Sequence, residues 1–317
     1  MSAVGLGCWQ LGGDWGEVSD TDAARVLHTA LDAGVTFLDT ADVYGDGRSE
    51  RLIGAVLAER GHPPEVTVGT KAGRRADPHV ADAYTPQALR TWVQRSLSNL
   101  GVEALDLLQL HCPPPEVYDR DAVFDALDQL MADGIVRDYG ISVETRREAL
   151  AAIERPGVAT VQLIVNVFRQ APLGEVLPAA VRAGVGIIVR VPLASGLLSG
   201  RYDEDTVFAA DDHRTYNRDG SAFDVGETFA GVPFDVGVRA AREVTALTPA
   251  GMSTAQLALR WVLDQPGVST VIPGARSPEQ VAANVAAAAL PPLDEALHAA
   301  LHDVYHRHVR AHVHERW

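Results

Sequence analysis

Short apolar runs alternate with longer amphipathic stretches along most of the chain. Runs rich in Val, Ile and Leu, such as VTFLDT, VTVGT and LDLLQLH, are each followed by a polar or Gly-containing turn. Stretches with helical spacing of their apolar positions, such as TDAARVLHTALDAG and RSERLIGAVLAER, come after those turns. The alternation predicts repeated strand–helix units, because a half-buried strand buries every second side chain and a helix buries those at i, i+3, i+4 and i+7.

Eight candidate strands occur in this pattern: VGLGCWQ, VTFLDT, VTVGT, LDLLQLH, VRDYGIS, TVQLIV, GIIVRV and STVIPG. Eight α/β units without a linker-like break predict a single domain over residues 1–317, folded as a (β/α)8 TIM barrel. Thr21 or Asp22 is the predicted cap of the first helix. Thr85 is the predicted cap of the third, with Pro86 at the first helical position.

Two segments depart from the repeat. Residues 194–235 are rich in Gly and Asp and are too long for an ordinary βα connection. We predict that they form a long active-site loop after strand 7, because the βα loops of a barrel lie at its C-terminal, functional face. The segment DEALHAALHDVYHRHVR, after the eighth unit, predicts an extra C-terminal helix.

Composition and charge narrow the classes of function. The formal net charge of −15 and the pI near 5.1 argue against nucleic-acid binding, which needs a basic surface. The two cysteines, Cys8 and Cys112, belong to no CxxC unit and fit a reducing cytoplasm. No apolar run has membrane-spanning length, and no charged start precedes an apolar run, so the sequence predicts a cytoplasmic protein without membrane contacts. The oligomeric state is left open.

Polar residues stand where three of the predicted strands end. Asp39 follows VTFL, Lys71 follows VTVGT and His111 follows LDLLQL, while Tyr44 lies five residues beyond Asp39. Lys71 is the only lysine among the 27 lysines and arginines, which indicates that this position needs an amine rather than a guanidinium. Each of the others alone also fits a structural role: Asp39 as a helix cap, His111 as an interior histidine and Tyr44 as an aromatic residue at the rim.

Together these four side chains fit proton transfer to a carbonyl that accepts hydride. Tyrosine has a pKa of about 10 and is a weak acid at neutral pH, and an adjacent Lys71 ammonium would lower that pKa. The Asp39 carboxylate would keep the ammonium charged and in place, and His111 would orient the substrate oxygen. We predict that all four are catalytic and that Tyr44 and His111 also contact the substrate.

Three further features have competing explanations. Trp15, in LGGDWG, is either a wall of the substrate pocket or a packed loop aromatic. His298, His302 and His306 share a helix face with i, i+4 spacing, but no carboxylate or cysteine set completes a site, and we predict no bound metal. GLGCWQLGG lacks the spacing of a dinucleotide-binding glycine motif, so its glycines are assigned to shaping the first βα loop.

Several segments, in the same order and at barrel-consistent spacing, resemble the signature segments of the aldo-keto reductase superfamily: GVTFLDTADVYGDGRSERLIG, VGTKAG, SLSNLGVEALDLLQLHCPP, YGISVE, VPLASGLLSG and VIPGARSPEQVAANVAA. The resemblance implies a (β/α)8 barrel that moves hydride between a nicotinamide cofactor and a carbonyl or alcohol. It implies that Tyr44 is the general acid/base and that Lys71 lowers its pKa. It further implies that Asp39 pairs with Lys71 and that His111 orients the substrate.

The same resemblance implies a cofactor site that departs in part from the family pattern. Ser142 and Gln162 match residues that hold the nicotinamide carboxamide, but Val143 stands where the family has Asn, so one hydrogen bond is expected to be missing. Arg190 replaces an aromatic ring and is expected to stack on the nicotinamide instead. The expected pyrophosphate and adenosine contacts are Leu193, Ser195, Gly196, Leu197, Gly274, Arg276, Gln280 and Asn284. Arg276 favours NADP(H) over NAD(H), because a guanidinium can bind a 2′-phosphate with two hydrogen bonds.

The resulting hypothesis is an NADP(H)-dependent oxidoreductase that acts on a small aldehyde, ketone or sugar-like carbonyl or alcohol. One alternative is a cofactor-binding regulatory subunit of the same fold with little turnover, which the presence of all four catalytic-type residues disfavours. A metal-dependent barrel hydrolase would need more His and Asp at strand ends than Asp39 and His111. The sequence selects no substrate, although several aspartates of the 194–235 loop would repel an anionic one if they faced the pocket: Asp203, Asp205, Asp211 and Asp212.

Overall fold

Eight parallel strands form the centre of the molecule in a computed structural model that describes residues 1–13 and 18–317. The strands are β1 Leu6–Gly7, β2 Phe37–Asp39, β3 Thr67–Ala72, β4 Leu105–His111, β5 Val136–Ser142, β6 Val158–Ile164, β7 Gly186–Arg190 and β8 Val268–Val271. Each pairs with the next along the chain. Parallel bridges from Val4 to Val271 and from Gly7 to Gly274 bring the last strand beside the first. The prediction of a (β/α)8 barrel is therefore confirmed, with the eight strands nearly closed in a single α/β domain.

Helices surround this barrel. They are α1 Trp9–Gly12, α2 Asp20–Asp32, α3 Arg48–Glu59, α4 Pro86–Leu100, α5 Asp121–Ala132, α6 Arg146–Ile153, α7 Pro172–Ala183, α8 His213–Tyr216, α9 Phe234–Leu247, α10 Thr254–Leu263, α11 Pro278–Ala286, α12 Glu295–Val304 and α13 Arg310–Val313. Thr85 caps α4 with Pro86 at its first position, as predicted. Ser19 caps α2 instead of Thr21 or Asp22, because Ser19 is still extended and its Oγ accepts the Asp22 N–H at 3.1 Å.

The N-terminal segment differs from its prediction. VGLGCWQ was expected to be one strand, but the strand covers only Leu6–Gly7, preceded by the single bridge at Val4, and the chain turns at Cys8 into the short helix α1. The helix lies directly on the loop after β2, where a Cβ atom at Gly12 would be 2.5 Å from the backbone carbon of Tyr44. This contact favours the turn over a longer strand, since only glycine fits so close to another backbone.

The long connection after β7 contains more structure than the sequence indicates. Residues 194–235 form three 3₁₀ turns, Ala194–Ser199, Val225–Glu227 and Phe229–Gly231, together with α8. Two helices that no predicted unit contained precede β8: α9, which begins at Phe234 near the end of this segment, and α10. The predicted C-terminal helix is present as α12 and α13, joined by a π-helical turn at Tyr305–Val309. In the described residues, 1–13 and 18–317, the helices are all too short or too polar to cross a membrane.

Inward-facing side chains fill the barrel in layers. A buried apolar layer consists of Phe37, Leu107, Ile188 and Ile272. Gly69 makes room for it, since a Cβ atom there would lie 2.9 Å from the Phe37 ring. Side chains in a strand alternate between faces, so residues two positions further along also point inward. Asp39, Lys71 and Gln109 therefore make a polar layer nearer the C-terminal ends of the strands.

Candidate active site

The four predicted catalytic side chains meet at the C-terminal end of the barrel. Asp39 ends β2, Lys71 lies in β3, His111 ends β4, and Tyr44 follows β2 in its loop. The Lys71 side chain is only 1% exposed, and its Nζ donates to Asp39 Oδ1 at 2.5 Å and to the Thr40 carbonyl at 2.8 Å. Its third contact is with the Tyr44 hydroxyl at 3.4 Å. The buried ammonium therefore links the carboxylate to the phenol.

The acidity of Tyr44 differs from the prediction. Burial raises the pKa of Tyr44 above its ordinary value, and the Lys71 ammonium lowers it by less than that increase. The net direction is thus opposite to the predicted one, because loss of water around the phenol outweighs the attraction of the cation. Burial also disfavours the charged form of Lys71, but Asp39 and Tyr44 raise its pKa overall, so the lysine remains an ammonium.

His111 is buried and neutral. Burial first, and then the positive charges of Arg74 and Lys71, lower the pKa of His111 well below its ordinary value. Its ring lies edge-on to the Tyr44 ring, with 6.0 Å between centroids. Its Nε2 lies 3.3 Å from Arg74 Nη1, and because a guanidinium can only donate, Nε2 is the acceptor in this contact.

A network of amides supports Asp39 from the barrel interior. Gln162 Nε2 donates to Asp39 Oδ2 at 2.7 Å and to Gln109 Oε1 at 3.1 Å, and Gln109 Nε2 donates to Asp39 Oδ2 at 3.2 Å. The Gln162 amide nitrogen is therefore directed at Asp39, and Gln162 Oε1 lies 3.5 Å from Ser142 Oγ. Sequence reasoning missed Gln109, although strand alternation in LDLLQLH would place it inward two residues before His111.

Four charged side chains lie beside His111 and form what we call the charge cluster: Arg74 and Glu144, which are half-buried, and Arg190 and Glu227, which are buried. Arg74 Nη2 is 2.7 Å from Glu227 Oε1 and 3.5 Å from Glu144 Oε1. Arg190 donates to Glu144 Oε2 at 2.8 Å and to the Val143 carbonyl at 3.0 Å. The predicted nicotinamide-stacking residue is thus paired with a carboxylate, and sequence reasoning missed its three partners in the cluster.

The two carboxyl groups of the charge cluster are tuned in opposite directions. Burial raises the pKa of Glu144 to about 8. Burial also acts to raise the pKa of Glu227, but Arg74 and Arg190 lower it far below its ordinary value. Oxygens of both carboxyls and the Cys112 sulfur lie within 4.8 Å of one another, an arrangement that could hold a metal ion. The arginines already supply positive charge there.

The segment predicted to contact the pyrophosphate is held in an unusual backbone conformation. Val191, Ala194 and Ser195 have φ values of 52°, 48° and 52°, in the left-handed region that non-glycine residues rarely adopt. Gly196 follows at φ 97°. Ser195 Oγ donates to the Glu227 carbonyl at 3.2 Å and accepts the Phe229 N–H at 3.0 Å. Leu193 and Leu197 lie in the same turn, half-buried and buried respectively.

The four residues predicted at the adenosine end lie together after β8. Gln280 Oε1 accepts the Arg276 backbone N–H at 2.7 Å, and Asn284 Nδ2 donates to the Gly274 carbonyl at 3.3 Å. These bonds attach the loop to α11, and the Arg276 side chain is exposed just before Ser277, the N-cap of that helix.

Aromatic residues border Tyr44 on its other side. Trp9, in α1, stacks on Tyr44 with ring centroids 6.0 Å apart, and Phe223 of the 194–235 segment contacts Trp9 edge-on at 5.7 Å. Sequence reasoning selected Trp15, which lies outside the described residues, and missed Trp9. The position of Trp9 directly after the first strand is the signal that would have found it.

The aspartates expected to repel anions add no uncompensated charge to the buried site. Asp203, Asp205 and Asp211 are exposed on the surface. Asp212 is buried and accepts the Arg214 Nε–H at 2.8 Å.

The architecture places the chain among the TIM-barrel proteins, with its polar side chains at the C-terminal ends of the strands. Within that class, the model of the family described as the aldo/keto reductase family matches residues 3–306. The chain therefore belongs to the aldo/keto reductase family and is an oxidoreductase of that family.

Individual relatives span nearly the same length. The aldo-keto reductase YhdN of Bacillus subtilis is 30% identical over 286 residues, covering 89% of this chain and 83% of that protein. The glycerol dehydrogenase structure from Gluconobacter oxydans is 31% identical, with a TM-score of 0.80 over 98% of this chain and 93% of that chain. An aldo/keto reductase from Klebsiella pneumoniae in complex with NADP and acetate shares the fold at 24% identity and a TM-score of 0.71, over 96% of this chain and 92% of that chain.

Proposed function

We propose that the protein is an NADP(H)-dependent oxidoreductase that interconverts a small carbonyl compound and its alcohol, with Tyr44 as the general acid/base. The observation that supports this most directly is the buried chain of contacts from Asp39 through Lys71 to the Tyr44 hydroxyl. An ammonium held this way stabilises the phenolate that forms when tyrosine gives up its proton.

Each residue has a defined task in this proposal. In the reducing direction, the Tyr44 O–H donates its proton to the carbonyl oxygen as negative charge develops there. Lys71 stabilises the phenolate left behind, and Asp39 keeps the ammonium in place. Neutral His111 orients the carbonyl oxygen beside Tyr44. Bound NADPH would supply the hydride that adds to the carbonyl carbon.

Several features of the described residues fit a nicotinamide dinucleotide. Ser142 Oγ can donate to the carboxamide and Gln162 Oε1 can accept from it, since the two residues pair across β5 and β6. The left-handed run that includes Ala194 and Ser195 holds the backbone in a conformation that costs free energy, as is common where a protein clamps a ligand. The exposed Arg276, at the start of α11, suits a 2′-phosphate and favours NADP(H). The Klebsiella protein in complex with NADP shows that this fold accommodates that cofactor.

The test is Tyr44→Phe, assayed with a panel of aldehydes and ketones against NADPH and NADH. Loss of the proton donor should lower kcat by at least about 100-fold, while the NADPH dissociation constant changes by less than about 2-fold. Tyr139→Phe is the matched control, because its hydroxyl contacts Asp128 and Pro156, outside this site, and turnover should survive. Normal turnover by Tyr44→Phe would overturn the assignment, and tight cofactor binding without wild-type turnover would favour the regulatory-subunit alternative.

A further inference from the structure

The proposed hydride transfer leaves one cation beside His111 without a task. Arg74 lies two residues after β3, and its Nη1 is 3.3 Å from His111 Nε2. Its side chain is 23% exposed, so the guanidinium extends from the buried site toward solvent. A guanidinium in this position can bind a planar anion through two parallel hydrogen bonds.

A carboxylate of the protein itself already forms an ion pair with the Arg74 guanidinium. Glu227 Oε1 accepts from Arg74 Nη2 at 2.7 Å, and the Glu227 side chain is 8% exposed. The glutamate comes from the 194–235 segment, 153 residues along the chain from Arg74. Phe229 and Ala230, two and three residues after it, have φ values of 54° and 58°, which are strained for non-glycine residues. The carboxylate is thus held beside His111 by a strained segment that is not part of the barrel.

The charges around this pair favour an anion beside Arg74. Arg74 and Arg190 are positive and Glu227 is negative, while burial raises the pKa of Glu144 and so favours its protonated form. Lys71 and Asp39 cancel one another. Without the Glu227 carboxylate, the Arg74 guanidinium would lose its closest anion, which is costly at this partly buried position unless another carboxylate takes its place.

A second buried guanidinium adds to this positive field. Arg169 is 2% exposed, and among the described residues none of its three side-chain nitrogens has a hydrogen-bond partner. It lies over the Trp317 ring at 3.9 Å. Burial lowers the pKa of Arg169 to about 9. A Cβ atom at Gly226, the residue before Glu227, would lie 2.4 Å from Arg169 Nη2, so this guanidinium lies beside the segment that carries Glu227.

We propose that the substrate carries a carboxylate close to its reacting carbonyl, and that Arg74 binds this carboxylate where Glu227 lies in the present structure. The inference rests on the proposed function and names its substrate class. A substrate carboxylate at Arg74 has a further consequence for His111. Its Nε2 accepts from Arg74 here. A guanidinium drawn toward the substrate would release that contact, so that the neutral ring could carry its proton on Nε2 and donate to the carbonyl oxygen.

Two variants with opposite expected effects test the proposal. The probes are 4-oxobutanoate with its methyl ester, and 4-formylbenzoate with its methyl ester, each reduced with saturating NADPH. Arg74→Met should lower kcat/KM for an acid at least about 10-fold more than for the matching ester, because only the acid loses an ionic partner. Glu227→Gln removes the competing charge and keeps the shape, so the acid-to-ester ratio of kcat/KM should rise about 3-fold or more.

Arg75→Met is the matched control, since Arg75 is the neighbouring cation and pairs with Asp46 at the surface. It should leave the acid-to-ester ratio of kcat/KM unchanged. Two results overturn the proposal: the wild type uses the ester of both pairs at least as well as the acid, or Arg74→Met and Glu227→Gln both shift the acid-to-ester ratio in the same direction.

Equilibrium binding separates this proposal from the proposed function. Titration calorimetry of 4-oxobutanoate with the NADP⁺-saturated protein, which holds no hydride to transfer to the aldehyde, compares the wild type with Arg74→Met without turnover. Binding that weakens about 10-fold in Arg74→Met supports the carboxylate site even if no aldehyde is reduced, in which case only the proposed function fails. Equal binding to both proteins, or no binding to the wild type, overturns the carboxylate site.

Discussion

Replacing Lys71 with Met removes a buried ammonium and keeps much of its packing volume. The ammonium lies 2.5 Å from Asp39 Oδ1, and both side chains are almost fully buried. At an effective dielectric constant of about 20, this separation corresponds to about 7 kcal/mol of attraction. Removing the ammonium also removes the cost of its own desolvation, so we expect a smaller net loss. Breaking a buried ion pair from one side typically lowers the free energy of unfolding by about 3–5 kcal/mol, which is our expectation for Lys71→Met.

The source of that loss can be isolated with a second substitution. In Lys71→Met, Asp39 retains only the amide donors of Gln109 and Gln162 and becomes an unpaired buried carboxylate. Adding Asp39→Asn removes this charge, so the double variant should recover to within about 1 kcal/mol of the wild type. Both proteins should lose turnover by about 100-fold or more, because the phenolate of Tyr44 loses its stabilising cation.

Urea denaturation followed by circular dichroism measures the stability, and NADPH oxidation measures turnover. The control is Arg75→Met, which breaks the exposed ion pair between Arg75 and Asp46. It should lower the free energy of unfolding by less than about 1 kcal/mol. The reasoning is refuted if Lys71→Met unfolds within 1 kcal/mol of the wild type, or if the double variant is no more stable than the single one.

Further predictions concern stability away from the reacting groups. Burial, helped by the Glu50 carboxylate, raises the pKa of Asp42 to about 7, so its ionisation destabilises the fold from about pH 4 upward and most fully above about pH 7. The free energy of unfolding of Asp42→Asn minus that of the wild type should therefore grow by about 3 kcal/mol as the pH rises from about 4.5 to about 8. A difference that does not change with pH contradicts this. Gly54→Ala should destabilise by about 2 kcal/mol in thermal melts, because its Cβ atom would lie 2.4 Å from the Leu100 carbonyl oxygen where α3 meets α4. Gly174→Ala, in open space on α7, should instead stabilise by up to about 1 kcal/mol, and equal effects of the two glycine variants would show that the backbone clash is unimportant.

The sequence by itself determined the barrel and the end at which its polar side chains gather. Parallel strands point the same way, so residues at their C-terminal ends meet whatever the detailed packing. Asp39, Lys71 and His111 could therefore be placed together from strand periodicity alone. The lone lysine showed which of these positions needs an amine, and the motif order identified the family.

Only the tertiary structure decided which distant residues pair with one another and how burial changes the pKa values of the site. Arg74 and Glu227 form an ion pair across 153 residues, and no local pattern in either segment predicts that partner. The segment that carries Glu227 is an irregular connection, whose path depends on packing rather than on periodicity. The net pKa of Tyr44 was misjudged for a related reason. The sequence indicates that Lys71 lies near Tyr44 and lowers its pKa, but the larger increase from burial is known only once the structure shows that water is excluded from the phenol.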